Sequence, residues 1–276
     1  MNSSPVSKKT VFLAIILSFF VCLLIFFNNY FDQRTKIVFC DVGQGDAAYI
    51  RIENKIDVLI DAGPDKSVLS CLGKYMPFWD RKIELAFLSH PNRDHYNGYF
   101  FVADRYQIDR FITVNSPIAS KTYKKLLQKI SNKKIKIEEA FAGKIIPAVQ
   151  PRRLDEAKFV IFWPPKNFMS NNDNDFSSVI LFNGVLFTGD ASPFVLGRLS
   201  HGAIKKINVL KIPHHGSKNG LTKKFLDLAD PTTAVISAGK NNFYGHPSKE
   251  VLDMLKAKDV KIKRTDKIGD VVFKIN

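Results

Sequence analysis

With 276 residues, 45% of them apolar, the chain can bury a full core, which excludes a disordered or low-complexity protein. Its formal charge of +15 excludes an acidic solvating tail and favours a polyanionic partner such as nucleic acid, an anionic membrane face or a surface polymer. Three cysteines, Cys22, Cys40 and Cys71, have no zinc-ligand spacing; Cys40 and Cys71 can pair in an exported domain, but buried thiols are the expectation, since free cysteine packs as a small core residue.

In chain order, residues 11–27 form an apolar run broken only by Ser18. That length is at the lower limit of a membrane span, and no small-residue cleavage site follows it, so an uncleaved transmembrane helix is predicted. Lys8 and Lys9 precede the run and Arg34 and Lys36 follow it, a bias that leans towards a cytoplasmic N-terminus, a single-pass protein of the cell membrane and an extracytoplasmic domain. The chain divides into a stub with anchor, 1–33, and one hydrolase-sized domain, 34–276.

Alternating β-rich runs predict strands at 36–40, 47–52, 56–61, 83–89, 110–114 and 135–138, with helices at 67–75, 97–105 and 121–130. The second half repeats the style with strands at 159–163, 178–182, 185–188, 206–212, 233–237 and 271–275, and helices at 193–199, 221–228 and 248–256. Two β-rich halves with interspersed helices point to an α+β layered architecture of packed sheets covered by helices.

The chemistry-bearing residues cluster where strands end. The strand finishing at Ser89 runs into His90-Pro91-Asn92-Arg93-Asp94-His95; Asp190, His214-His215-Gly216-Ser217 and His246 follow three later strands. Five of the six histidines are placed this way, with His201 the exception, and a mixture of imidazole and carboxylate converging from loops suits a divalent cation such as zinc or manganese. Gly43-Gln44-Gly45-Asp46 reads as a turn between strands, and the lysines from Lys121 to Lys136 read as a solvated face able to follow a phosphate backbone.

In residues 39–47, 59–63, 90–95, 174–179, 188–190, 210–217 and 237–247, the chain resembles the metallo-β-lactamase superfamily, and within it the soluble domain of ComEC-type competence proteins that move DNA across membranes. The resemblance implies an αββα sandwich with a metal site along one edge. It assigns Asp94, His95, Asp190 and His246 to one metal site and His90 to a second, with Asp190 shared, Asp61 orienting a ligand and Asp46 near the edge. Asn92 stands where the common pattern has histidine, and Asn174 is the nearest substitute for a further missing one. One tight metal site is therefore expected, and the second is weak at best.

His214 and His215 exceed that ligand count. The resemblance makes His215 a proton donor to the leaving oxygen, with Ser217 and Lys218 as phosphate contacts, and a metal-bound attacking water can be held by Asp94 or Asp190. The expected activity is an extracytoplasmic phosphodiesterase or nuclease acting on DNA during uptake, with a separate DNA channel protein as partner. Two other readings stay open: a phosphoesterase on a surface polymer or small phosphodiester, and a catalytically weak DNA-binding subunit. Metal content and salt-sensitive DNA affinity separate them.

Overall fold

The computed structural model describes residues 7–31, 34–148, 157–199, 204 and 207–275, the side chains of 25, 26 and 28–31 excepted. The first sheet collects β1 (Thr35–Phe39), β2 (Ala48–Ile52), β3 (Ile56–Ile60), β4 (Lys82–Leu88), β5 (Gln107–Thr113) and β6 (Lys136–Glu139) in chain order. The second contains β7 (Ile145–Pro147), β8 (Lys158–Trp163), β9 (Val179–Phe182), β10 (Val185–Phe187), β11 (Val209–Lys211), β12 (Thr233–Ile236) and β13 (Lys261–Arg264). The last strand, β14 (Val271–Ile275), returns to the first sheet and pairs antiparallel with β1.

Both sheets are mixed in the same way. β1, β2 and β3 pair antiparallel, whereas β3 through β6 run parallel; β7 through β10 pair antiparallel, whereas β10 through β13 run parallel. Parallel neighbours need crossovers, and these supply the outer helices. The α1 helix spans Lys8–Phe31; α2 (Val68–Tyr75), α3 (Arg93–Tyr96), α4 (Tyr99–Arg105) and α5 (Lys121–Asn132) belong to the first half. In the second half are α6 (Pro193–Leu196), α7 (Lys223–Ala229), α8 (Lys249–Lys256) and α9 (Thr265–Ile268).

Period-two alternation divides the strand residues between two faces. Ile37, Phe39, Ile50 and Phe87 meet Phe159, Phe182 and Phe187 in the core between the sheets. Val38, Tyr49, Leu59 and Phe111 pack outward on Leu72, Tyr99 and Leu126, and Leu186, Leu210 and Ile236 on Phe225, Leu226 and Val251. Three apolar layers make four layers of structure, helix, sheet, sheet and helix, as the α+β reading expects. The strands at β7 and β13 were not predicted. β7 has only three residues, and β13 reads Lys-Ile-Lys-Arg at a sheet edge, where charge replaces the apolar alternation.

One expectation is corrected. Cys40, just after β1, and Cys71, in α2, form a disulfide across 31 residues, instead of two buried thiols. The crossover that follows β3 lays α2 against β1, a proximity that spacing in the sequence cannot show. Closing a loop of that size stabilises by about 3–4 kcal/mol on the chain-entropy model. Replacing both cysteines by alanine should lower the urea midpoint accordingly, and an unchanged midpoint would show that the bond is dispensable.

The apolar run folds as α1, whose Phe12, Leu13, Leu17, Phe19 and Leu24 are exposed, and no core cluster includes a residue of it. The described side chains of this helix end at Leu24 apart from Phe27, and among the described residues no helix is long and apolar enough to cross a membrane. The span read from the sequence is thus not established by the structure. Similarly, His201 and Lys206, the latter the start of one predicted strand, lie outside the described residues.

Candidate metal centre

The carboxyl ends of the parallel strands in both sheets open on one edge. β3 delivers Asp61, β4 delivers Ser89 and His90, β10 leads to Asp190, β11 to His214 and His215, and β12 to Ser237. The loop after β1 brings Asp46 to the same edge. Gly45 makes this approach possible: its backbone lies so close to the Asp94 carbonyl that an added Cβ would stand 2.3 Å from the oxygen. Gly189, with φ of +50°, is likewise pressed against Ser89. Asp61, His214 and His215 adopt positive φ without being glycine, a conformation that is costly and tends to mark functional loops.

Four side chains converge. His95 Nε2 is 3.3 Å from Asp190 Oδ1, and His215 Nε2 is 3.5 Å from the same oxygen and 3.2 Å from Asp94 Oδ2. One ligand-competent atom from each of Asp94, His95, Asp190 and His215 lies within 4.8 Å of the others. Both imidazoles are oriented from behind. His95 Nδ1 donates to Asp61 Oδ2 at 2.8 Å, and Asp61 is itself held by the Ser89 amide and hydroxyl. His215 Nδ1 donates to the Ser237 carbonyl at 3.0 Å. Such backing fixes the tautomer and turns the other nitrogen towards the centre, as in metal-binding histidines.

The donor set fits a divalent cation. His95 Nε2 and Asp190 Oδ1 are buried without a hydrogen-bond partner among the described residues, as are Asp46 Oδ1, His90 Nε2 and His246 Nδ1. The electrostatics agree. Burial disfavours the charged form of His95 and His215, but Asp190 and the neighbouring carboxylates outweigh it, raising His95 well above the usual range and His215 to about 10. For Asp190 burial is likewise outweighed, by His215 and His95, and its carboxyl stays well below the usual range. A field that keeps protons on two buried imidazoles favours any cation at that point.

Lys211, the last residue of β11, was not singled out in the sequence. It is buried, and its ammonium contacts Asp46 Oδ2, donates to the Gly189 carbonyl at 2.9 Å and lies 3.9 Å from Asp190 Oδ1. Its signal was a single charge set between Leu210 and Ile212 in an otherwise apolar run. Asp46 in turn stands 3.4 Å from His215 Nδ1.

The other predicted residues are distributed around this group. His90 is buried, its ring 4.3 Å from that of His95, and its Nδ1 meets the Ser89 hydroxyl at 3.0 Å; burial and the nearby His95 lower its pKa to about 3. The ring of His246 lies 5.8 Å from that of His214, and neither His90 nor His246 falls in the converging group. His214, half-buried at the mouth, has Nε2 at 3.9 Å from Asp190 Oδ2, and burial followed by His215 hold it below the usual range. Asn92 accepts from the Arg93 amide as the cap of α3. Asn174 sits in the turn Asp173–Phe176, where Asp175 is fully engaged by Ser170, Asn172 and Ser192.

Ser217 accepts from the Asn219 amide within its own turn, and Lys218 is exposed beside it. Along the basic stretch, Tyr123, Leu126 and Ile130 form the buried stripe of α5, and Lys129 and Lys133 pair with Asp104, so this is a solvated face with its own counter-ion. Where the sequence counted His215 outside the ligands, the structure groups it with them. His215→Ala is accordingly expected to weaken metal binding by at least about tenfold in calorimetric titration, in line with the cost of removing even an outer partner. Unchanged metal affinity would return His215 to the role of a proton donor.

Comparison with known proteins agrees with this geometry. Residues 40–240 match the family model described as the metallo-beta-lactamase superfamily. The chain is similar to ComE operon protein 3 of Bacillus subtilis (strain 168), at 26% identity over 92% of this chain and 35% of that protein. It is 27% identical to Recombination protein 2 of Haemophilus influenzae, over 98% of this chain and 33% of that one. The chain thus spans about a third of the length of these relatives. Among solved structures, it shares its fold with CmlA, a diiron beta-hydroxylase from Streptomyces venezuelae, at a TM-score of 0.59 and 13% identity over 88% of this chain and 54% of that one. Igni18, a metallo hydrolase from Ignicoccus hospitalis, gives 0.55 and 15% over 87% of this chain and 100% of that one. On the family match, the layered sheets and the clustered ligands together, the chain belongs to the metallo-β-lactamase superfamily.

Proposed function

We propose that the protein is a metal-dependent phosphodiesterase that cuts DNA, held at a membrane with its metal edge outside the cytoplasm. The observation that carries this reading is the convergence of His95, His215, Asp94 and Asp190, each imidazole backed by a fixed acceptor. These four would hold the ion, which when bound supplies Lewis acidity towards a phosphoryl oxygen and acidifies water. The protein's own groups do the rest. Asp61 and the Ser237 carbonyl keep the imidazoles in place. His214, half-buried at the mouth with its pKa lowered by burial, is in position to donate its ring N–H as a hydrogen bond to the departing oxygen. Asn92, spent as a helix cap, favours a centre with one tight ion, zinc or manganese by donor type, over a matched pair.

DNA as the substrate is supported by the charge of +15 and by relatives named as recombination and competence proteins; the separate DNA channel partner rests on the same likeness. An extracytoplasmic site is supported by the Cys40–Cys71 disulfide. Membrane attachment is supported by the exposed apolar residues of α1, which water does not favour. The chain enters the domain at Thr35, while Phe39 at the other end of β1 lies level with Ile60 and Phe87 at the metal edge, so the site faces away from the anchor.

The test is elemental analysis of the whole chain purified in detergent, with cleavage assays on single- and double-stranded DNA and on bis-p-nitrophenyl phosphate. Bound metal with chelator-sensitive DNA cleavage is expected. Cleavage of the small diester alone would replace DNA by a smaller substrate, and DNA binding without cleavage or metal would leave only a binding subunit.

A further inference from the structure

The loop between β12 and α8 carries two aromatic side chains that stand largely exposed among the described residues. Phe243 is fully exposed and Tyr244 is 72% exposed, with Gly245 between them and His246. The loop itself is braced. Asn242 donates to the carbonyls of Gly239 at 2.9 Å and His246 at 2.7 Å and accepts from the His246 amide at 3.0 Å, while the Gly239 amide donates to Gln44 Oε1 at 3.0 Å. The rings are therefore presented by a fixed support that is tied to the Gly43–Asp46 side of the metal edge.

Their position matters as much as their exposure. The Tyr244 ring lies nearly parallel to that of His246, 5.7 Å away at 24°. From there the row continues to His214 at 5.8 Å, His215 at 6.3 Å and His95 at 5.4 Å, from the surface to the metal centre. Exposed Lys240 lies in the same loop, and exposed Lys249, which pairs with Asp253 at 3.3 Å, begins α8 just after it. Flat apolar faces flanked by cations, joined to the metal centre through the rings of His246 and His214, match the chemistry of an unpaired nucleotide: an aromatic base beside an anionic backbone.

We propose that Phe243 and Tyr244 form a stacking platform for an unpaired base next to the scissile phosphate, so that the strand entering the centre is single-stranded. This rests on the DNA reading of the site. Bases inside a duplex have their faces occupied by neighbours, and only an unstacked base can lie on these rings. The preference is indifferent to sequence, because every base offers a π-face.

The experiment measures binding to the whole chain in detergent, with EDTA present to prevent cleavage, by fluorescence anisotropy of a short labelled oligothymidine. The comparison is an abasic oligomer of the same length and charge, and a duplex. Wild type should bind oligothymidine about tenfold or more above the abasic strand, by the usual worth of one stacked base. Phe243→Ala and Tyr244→Ala should each remove most of that difference while leaving affinity for the abasic strand unchanged; exposed Phe243 can be lost without harm to the fold. Equal binding of the two strands by wild type, equal loss on both strands in the variants, or a duplex preferred over the single strand would each overturn the platform. Binding of none of these by wild type would instead bring down the DNA reading, and the platform with it.

Discussion

Asp190→Asn should leave a folded protein that has lost both its metal and its phosphodiester turnover. Asp190 is buried between His95 and His215, its Oδ1 is shared by both imidazoles, and its backbone amide donates to the Ser177 hydroxyl at 3.1 Å. The amide side chain keeps the shape and that backbone bond but removes the charge at the middle of the donor set. Since even outer partners of a ligand are worth about ten- to a hundredfold in metal affinity, loss of this shared carboxylate should exceed a hundredfold. Circular dichroism would confirm the fold, calorimetric titration the affinity, and cleavage of bis-p-nitrophenyl phosphate the activity. Turnover surviving at the wild-type level would end the case for a metal mechanism at this edge.

Much of this centre was legible before the fold was known because loop ligands in this architecture follow strands, and strands announce themselves by apolar runs. Strand ends flagged the loops, and the family resemblance assigned Asp94, His95 and Asp190 to one metal site; the structure brings a ligand-competent atom of each within 4.8 Å of the others. What the sequence could not show is which nitrogen a histidine turns inward. His214 and His215 are adjacent in sequence, yet the left-handed backbone at both sends one to the mouth and buries the other behind Ser237. Counting histidines against an expected ligand number then set aside the buried one. The fold was legible for the same reason, except where the strand was short or charged, as in β7 and β13. The Cys40–Cys71 bond depended on how α2 crosses β1, a tertiary fact with no local trace.

Lys211 is where local patterning and the centre's chemistry conflict, and there the stability effect should be largest. A lysine with 4% of its side chain exposed at the end of a central strand is tolerated because Asp46, the Gly189 carbonyl and Asp190 surround its ammonium. Lys211→Met preserves the apolar stem but leaves Asp46 buried without its main counter-charge. Breaking a buried pair from one side costs about 3–5 kcal/mol, whereas removing both charges is often near neutral. Urea denaturation at pH 7 should therefore show a large loss in Lys211→Met and recovery of at least half of it in Lys211→Met with Asp46→Asn. The sign of the pH dependence follows from Asp46. Burial raises its pKa, but Lys211 and then His215 outweigh that and hold it below the usual range, so the stability it contributes is present above its unfolded pKa and is lost as pH falls through the folded one. Without the ammonium, burial gains ground, the carboxyl takes up a proton at higher pH, and the deficit of Lys211→Met relative to wild type should shrink between pH 7 and pH 4. A deficit that stays constant across that range, or a double variant no more stable than the single one, would mean that Lys211 acts by packing and not by holding Asp46 charged beside the metal ligands.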